Sequence, residues 1–342
     1  MLKSLRSFGL AILPQAAAIA VTMFLGFVLV AAIADEPLLA YRELLFANFD
    51  SRSNFALFIN RATPIALIAV GIVFAFRAGV FNVGGEGQLY LGAMAATVVA
   101  LFLSDLPGAM LLPLCLLGGI LAGGIWGWIP AVLKVRLAVD EVVSTLMLNF
   151  VALLFTSYLV NHPLRDPEAY GALSRKVPES VWLPSIPGLP NASMGFVAAV
   201  ILAIISWIVL FRTSWGAEVR AAGTNIRFAE AIGTPGGRRV IEAMFVAGAF
   251  AGLAGALYVL GIGHRFGQNF SPAYGLVALT VALLARVHPI GALLTSLYYA
   301  LMLNGAAYMQ IATDVPRSLV VLLTGLLVLF MTVRLRPPRV VG

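Results

Sequence analysis

The sequence is poor in charged residues and in the side chains that build most catalytic centres. Charged residues make up 11% of its 342 positions, against roughly 25% in soluble domains. Cys115, inside an apolar run, is the only cysteine. A lone cysteine excludes an internal disulfide and the zinc and iron–sulfur sites that need several thiols. We therefore expect Cys115 to be a small buried apolar residue.

Nucleotide-hydrolysis, metal and hydrolase motifs are also missing. None of the three lysines lies in a GxxxxGK[ST] phosphate loop, so the chain is not expected to hydrolyse ATP. His162, His264 and His288 have no i,i+4 spacing and no cysteine nearby, which favours solvated or interfacial side chains. GxSxG and HExxH do not occur. We predict no catalytic residues, no cofactor and no metal site.

Apolar residues are what the sequence has in excess. They make up 61% of the chain before its 33 glycines are counted, whereas soluble domains reach roughly 45–50% with glycine included. A water-soluble globule cannot bury that much apolar surface, so the excess must face lipid. The predicted fold class is all-α, a polytopic membrane helix bundle forming one transmembrane domain over residues 1–342.

About ten apolar runs approach the roughly 20 residues that a membrane-spanning helix needs. The eighth is short, which fits a tilted, interrupted or re-entrant piece packed inside the bundle. The runs lie at 11–33, 62–82, 85–104, 109–130, 142–160, 195–211, 241–262, 272–285, 289–310 and 317–333.

The distribution of basic residues predicts the orientation. With both termini in the cytoplasm, the inside carries 14 Lys and Arg residues and the outside 8. This arrangement obeys the positive-inside rule, and the reverse would break it. The net charge of +7 is therefore interpreted as a topology signal rather than as a nucleic-acid signal.

The first run and two long loops need comment. The first run, with Lys3 and Arg6 before it, is longer than a signal-peptide core, so we expect an uncleaved anchor. Residues 162–194 form a proline-rich extracytoplasmic loop; its sequon at Asn191 has meaning only in a secretory eukaryotic context. Residues 212–240 form the longest cytoplasmic loop.

A glycine-rich motif interrupts the apolar pattern at residues 81–88, which read FNVGGEGQ. Its glycines disfavour helix, so we expect a break, with Asn82 capping the next helix and Glu86 in its first turn. Broken helices at membrane depth form substrate sites in transporters. Two interpretations stay open: a substrate site or gate formed by Asn82, Glu86 and Gln88, or a tight turn at the cytoplasmic surface with a solvated Glu86.

A second polar cluster begins at Asp140 and Glu141. Glu141 at a helix start is explained by the helix dipole. Asn149 lies eight residues further along the chain, about 12 Å into the membrane. An amide at that depth needs a partner, which is either another helix or a substrate on its path.

Small residues recur at four-residue intervals in two runs. Such stripes allow helices to approach closely, so we predict packing within the bundle. The stripes are Gly119, Gly123 and Gly127, and Gly248 and Gly252.

The cytoplasmic loop predicts a short surface helix. Asn225 is a favourable N-cap and Gly233 a favourable stop, so residues 226–232 should be helical. An amphipathic helix among arginines suits a soluble partner. The alternative is a helix lying on anionic lipid.

Three separated motifs resemble a known family. The loop at 213–233, followed by the Ala/Gly-rich run at 247–255, resembles the coupling segment of ABC-importer permeases of the branched-chain amino acid, ribose and nucleoside type. The motifs at 81–88 and 141–149 are most similar to the nucleoside-importer branch. The sequence departs from the family after the coupling helix, where TPGG stands at 234–237 in place of an apolar stretch.

The resemblance implies a permease subunit of an ATP-driven importer in the bacterial plasma (inner) membrane. Its partners would be a cytoplasmic ABC ATPase, a second homologous permease and an extracytoplasmic substrate-binding lipoprotein, in addition to membrane lipid and without nucleic acid. The substrate path would include Asn82, Glu86, Gln88 and Asn149. Contact with the ATPase and the shape of the coupling loop would depend on Gly216, Arg220, Gly223, Asn225, Arg227, Ala229 and Gly233.

Other functions are compatible with parts of the sequence. The same importer type also serves branched-chain amino acids and simple sugars. An ion-coupled secondary transporter needs carboxylates deep in its spans, and only Glu86 is a candidate. An intramembrane enzyme would need a paired acid and base, which the sequence lacks.

Overall fold

The computed structural model describes residues 24–231 and 233–313, together with positions 315, 318, 319, 322 and 325. This part of the chain is mostly helical, as predicted. Residues 24–31 are helical. The remaining helices are α1 (Pro37–Phe46), α2 (Arg52–Arg77), α3 (Gly85–Phe102), α4 (Gly108–Leu137), α5 (Glu141–Asn161), α6 (Gly195–Arg212), α7 (Ser214–Thr224), α8 (Ile226–Ala231), α9 (Gly236–Tyr258), α10 (Tyr274–Leu284) and α11 (Pro289–Ala312).

Six helices in the described ranges are long and apolar enough to cross a membrane: α2, α4, α5, α6, α9 with its π-helical extension, and α11. Helix α3 is not among them, because Glu86 and Gln88 lie in its first turn. Helix α10 has 11 residues, about 16 Å, and is too short to span a roughly 30 Å core. The predicted run at 317–333 and residues 11–23 of the first run lie outside the described residues, apart from 318, 319, 322 and 325.

The chain divides into two compact units, residues 59–297 and residues 1–58 with 298–342. In the larger unit the glycine stripes pack within the bundle, as predicted, and the stripes of α4 and α9 cross each other. A Cβ on Gly123 would overlap the carbonyl oxygen of Gly248, and one on Gly252 would overlap that of Gly119. Backbone-to-backbone contact of this kind requires glycine, because any side chain would separate the helices.

Apolar side chains also cover the outer surface of this unit. Leu117, Leu121 and Ile125 of α4 are about half exposed, and Phe150 and Leu154 of α5 more so. Exposed apolar surface on this scale suits a lipid environment. Cys115 is fully buried, which confirms its assignment as a core residue.

The proline-rich loop is ordered around a two-stranded antiparallel hairpin, Ser185–Ile186 with Leu189–Ser193. It packs on the end of α9, where residues 259–263 form a π-helical turn. The backbone N–H of Leu183 donates to the Leu260 carbonyl at 2.9 Å, and the Trp182 ring stacks on His264 with centroids 3.9 Å apart. His264 is thus an interfacial histidine, as predicted.

In the smaller unit, α1 packs on the second half of α11. A Cβ on Gly305 would overlap the Leu44 carbonyl oxygen. The Asn304 side chain donates to the Asn48 side-chain oxygen at 2.7 Å, and Asn48 donates to the Leu301 carbonyl at 3.2 Å. This buried amide pair fixes the contact between the two helices.

Candidate functional site: a buried polar cluster and the surface of the 213–233 loop

The break at residues 78–84 connects α2 to α3 and is held by Asn82, which is fully buried. Its side-chain oxygen accepts hydrogen bonds from the Gly84 N–H at 2.9 Å and the Gln88 amide at 3.2 Å. Its amide nitrogen donates to the Gln88 side-chain oxygen at 3.1 Å. The predicted capping role of Asn82 is wrong: Gly84 occupies the N-cap position of α3, and no side chain caps it. Asn82 forms a local turn before the helix instead.

Glu86 lies in the first turn of α3, as predicted, but it is buried rather than solvated. It is 9% exposed, and its carboxylate accepts a hydrogen bond from the Gly275 N–H at 2.6 Å. Gly275 lies in the first turn of α10, and a Cβ there would overlap the Glu86 backbone nitrogen. The N-termini of α3 and α10 therefore both lie at the Glu86 carboxyl group. Helix N-termini carry partial positive charge, and a carboxylate is the group that they favour.

Asn149 joins the two polar motifs predicted from the sequence. Its side-chain oxygen accepts from the Gly87 N–H at 2.8 Å, and its amide donates to the Val83 carbonyl at 2.9 Å. The Asn149 amide was expected to need a hydrogen-bond partner. Its partners are backbone groups of the glycine break and of the first turn of α3. Asn82, Gln88 and Asn149 lie in one hydrogen-bonded cluster with that break.

Glu141 extends this cluster to α4. Its carboxylate pairs with the Lys134 ammonium at 2.5 Å and accepts from the Phe81 N–H at 3.4 Å. Asp140 caps α5 by accepting from the N–H groups of Val142 and Val143. The ends of α4, α5 and the break are therefore linked at one level of the bundle.

The predicted coupling loop forms two helices. Helix α8 begins after Asn225, whose side-chain oxygen accepts from the Phe228 N–H at 3.1 Å, and Gly233 has φ +86°. Both boundary predictions agree with the structure; residue 232 lies outside the described residues. Arg227 and Phe228 are exposed while Ala229 is buried, so α8 presents an arginine and an aromatic ring to solvent.

Helix α7, which precedes α8, was not predicted as a helix. It packs directly on the break: a Cβ on Gly223 would overlap the Arg77 carbonyl oxygen, and Gly79 meets the Gly223 carbonyl in return. Gly216 is equally close to the Val209 carbonyl. Two of the three glycines predicted to shape the loop, Gly216 and Gly223, therefore allow backbone contact with α6 and with the end of α2.

The Arg220 side chain is partly buried and packs on an aromatic ring. Its guanidinium lies 5.2 Å from the Phe211 ring centroid, as does that of Arg77, and His288 stacks on the same ring at 5.3 Å. Burial and the nearby Arg77 guanidinium lower the pKa of His288, which favours the uncharged ring. The cluster anchors α7 to α6 and to the start of α11.

Several residues of the site were missed by the sequence analysis. Gly275 and Lys134 contact predicted residues across the fold, a relationship that no local motif reveals. Phe228 had a usable signal, because an aromatic residue beside arginines in a short amphipathic helix is typical of a contact surface.

Comparison with known proteins identifies the family. Residues 54–332 match the model of the family described as "Branched-chain amino acid transport system / permease component". No solved structure matches the chain significantly.

Several relatives are named as permease proteins of ABC transporters. A glucose ABC transporter permease protein of Haloferax volcanii is 32% identical over 335 residues, covering 95% of this chain and 87% of the relative. A guanosine ABC transporter permease protein of Bacillus subtilis is 34% identical, covering 80% and 79%. A nucleoside ABC transporter permease protein of Lactococcus lactis is 28% identical, covering 93% and 89%. The chain therefore belongs to the family of branched-chain amino acid transport system permease components.

Proposed function

We propose that the chain is the permease subunit of an ATP-driven ABC importer for nucleosides, in the bacterial plasma membrane. It pairs with a second homologous permease, a cytoplasmic ABC ATPase and an extracytoplasmic substrate-binding lipoprotein. ATP hydrolysis takes place on the ATPase, since this sequence has no phosphate-binding loop. Nucleoside and guanosine permease proteins among the relatives support this proposal.

The proposed topology has ten membrane segments and both termini in the cytoplasm. The excess of Lys and Arg on the inner side supports it. The short helix α10 is then the helical part of an interrupted crossing, because its first turn lies at Glu86 within the bundle rather than at a membrane surface.

The observation that carries the choice of substrate is the composition of the buried cluster, which has three side-chain amides and one carboxyl group that accepts a backbone N–H. Helix N-termini at membrane depth bind the carboxylate of an amino-acid substrate in other transporters. Here the meeting N-termini of α3 and α10 are already matched by Glu86. The surrounding groups are the neutral amides of Asn82, Gln88 and Asn149. Such a cluster suits a neutral, hydroxyl-rich solute such as a nucleoside better than an amino acid.

Movement of the ATPase is transmitted in this proposal through α8 and α7. Helix α8 offers Arg227 and Phe228 to the partner, while Gly223 of α7 contacts the end of α2 and Gly79. Three residues beyond Gly79 the chain reaches Asn82. A displacement of α7 therefore acts on the break that holds the polar cluster. Two conformations with different partner contacts are sufficient for alternating access.

Sugar import is the second candidate. The relative from Haloferax volcanii, named as a glucose permease, matches over 335 residues, and a sugar is also neutral and rich in hydroxyl groups. Membership of a family of ABC permease components argues against an ion-coupled secondary transporter.

Uptake competition separates these candidates. The complete importer is expressed in a bacterium lacking nucleoside uptake, and entry of radiolabelled guanosine is measured with unlabelled nucleosides, glucose or leucine in excess. We expect competition by nucleosides alone. Competition by glucose would transfer the proposal to sugars, and competition by leucine would refute the argument from Glu86.

A further inference from the structure

A groove of 710 Å³ lies on the surface between α4, α7 and α9. Its walls are mainly apolar and include Trp128, Ile241, Phe245 and Val246. Trp128 is 45% exposed, although it lies in a membrane-length helix. The groove is therefore an open, mainly apolar depression on the surface of the larger unit.

One end of the groove is positively charged. Arg136 and Arg238 line it together with a single acidic residue, Glu242. Glu242 is already compensated, because it accepts from Arg238 at 2.7 Å and from the Trp215 indole N–H at 2.8 Å. Arg136 is exposed and forms no ion pair within the described ranges. The groove thus combines an apolar wall with an unneutralised guanidinium.

The spacing of these groups matches the edge of a membrane. Arg136 follows Trp128 by eight residues of α4, about 12 Å along the helix axis. In the proposed orientation, Arg136 lies at the cytoplasmic headgroup level and Trp128 closer to the hydrocarbon. Tryptophan is enriched at this boundary, and the cytoplasmic leaflet carries the anionic lipids that basic pockets between helices bind.

We propose that this groove binds one anionic phospholipid of the cytoplasmic leaflet. Its phosphate contacts Arg136 and Arg238, and an acyl chain lies along Trp128 and Phe245. The lipid lies between α4 and α9 beside Trp215 of α7, so it contacts the helix that links the coupling surface to the break. The inference rests on the orientation proposed above and is independent of the transported solute.

Native mass spectrometry of the purified full chain tests the site without any substitution. The protein is delipidated and titrated with phosphatidylglycerol or with phosphatidylcholine of the same acyl chains. We expect one phosphatidylglycerol to bind at least fivefold more tightly than phosphatidylcholine. Glycerol phosphate at millimolar concentration should not displace it, since the acyl chain contributes to binding. Equal affinity for the two lipids would overturn the proposal.

Variants then locate the bound lipid. Arg136→Gln and Arg238→Gln should each reduce the preference for phosphatidylglycerol about threefold or more, while Trp128→Ala should weaken both lipids. Arg286→Gln is the matched control, because Arg286 is also exposed and lies outside the groove. If Arg286→Gln has the same effect as Arg136→Gln, binding is nonspecific and the proposal fails. Cross-linking of the groove to the second permease in lipid-replete membranes would also overturn it.

Discussion

The side-chain oxygen of Asn149 accepts a hydrogen bond from the backbone N–H of Gly87 at 2.8 Å. The two residues are 62 positions apart, in α5 and in the first turn of α3. The same amide donates to the Val83 carbonyl on the other side of the helix start. One asparagine therefore binds both sides of the point where the chain re-enters a helix, which makes the position of this break dependent on α5.

Replacement of Asn149 by leucine should destabilise the bundle and stop transport. The change leaves the buried Gly87 N–H without its partner, at a cost of about 1–3 kcal/mol, and removes the hydrogen bond to the partly buried Val83 carbonyl. Thermal unfolding of the purified protein and solute uptake measure the two effects. Asn161→Leu is the control, since Asn161 at the far end of α5 is only partly buried. Equal losses in both variants would contradict a special role for Asn149.

Gly223→Asp should prevent co-purification of the ATPase while the permease remains in the membrane. A side chain at Gly223 would overlap the Arg77 carbonyl oxygen, so α7 must move away from the end of α2. Affinity purification from membranes measures the retained ATPase. Thr224→Asp adds the same charge one residue later at an exposed position and should retain the partner. Normal co-purification with Gly223→Asp would show that the coupling surface is placed wrongly.

Phe228→Ala should weaken ATPase binding without destabilising the permease. The Phe228 ring is 60% exposed, so it contributes little to folding, whereas aromatic anchors at interfaces contribute about 2 kcal/mol or more. We expect a loss of affinity of about tenfold or more, measured by titration in detergent. The control is Phe102→Ala, at a ring that is 72% exposed on the opposite side in the proposed topology. An unchanged affinity for Phe228→Ala would remove α8 from the interface.

Gly123→Ala should lower the free energy of unfolding by about 1–3 kcal/mol, the usual cost of overpacking. The added methyl group meets the Gly248 backbone, which cannot rotate away. Gly118→Ala on the same helix is the control, because the nearest backbone atom to its Cβ would be the Ala95 carbonyl oxygen at 3.8 Å, and its tightest contact would be a Val99 methyl group at 3.1 Å. Denaturation of both variants in one detergent gives the comparison. Equal stability of the two variants would mean that α4 and α9 can move apart at the glycine crossing without loss of stability.

The apolar runs predicted most of the long helices to within a few residues. The predictions at 142–160 and 195–211 correspond to α5 and α6, whose ends coincide with Asp140 as a cap and with Arg212. Hydrophobicity determines these elements almost alone, because lipid admits few alternatives to helix. Helix α2 begins ten residues earlier than predicted, at Arg52 rather than at 62, because a helix continues beyond the apolar segment.

The contacts within the site were harder to predict from the sequence than the helices. Local preference suggested Asn82 as a cap, but the Gln88 amide competes for the same oxygen. The pairing of Glu86 with Gly275 joins positions 189 residues apart, so it depends on how α10 packs. Sequence patterns predicted which polar residues are costly at depth, and tertiary packing decided how each is satisfied.

Nucleoside uptake into proteoliposomes tests the central claim most directly. The purified importer is reconstituted with its binding protein on the substrate side and ATP on the ATPase side, and entry of radiolabelled guanosine is followed. We expect accumulation against a gradient that stops when the ATPase is inactivated or when this chain carries Gly223→Asp. Accumulation that continues with an inactive ATPase would contradict the account.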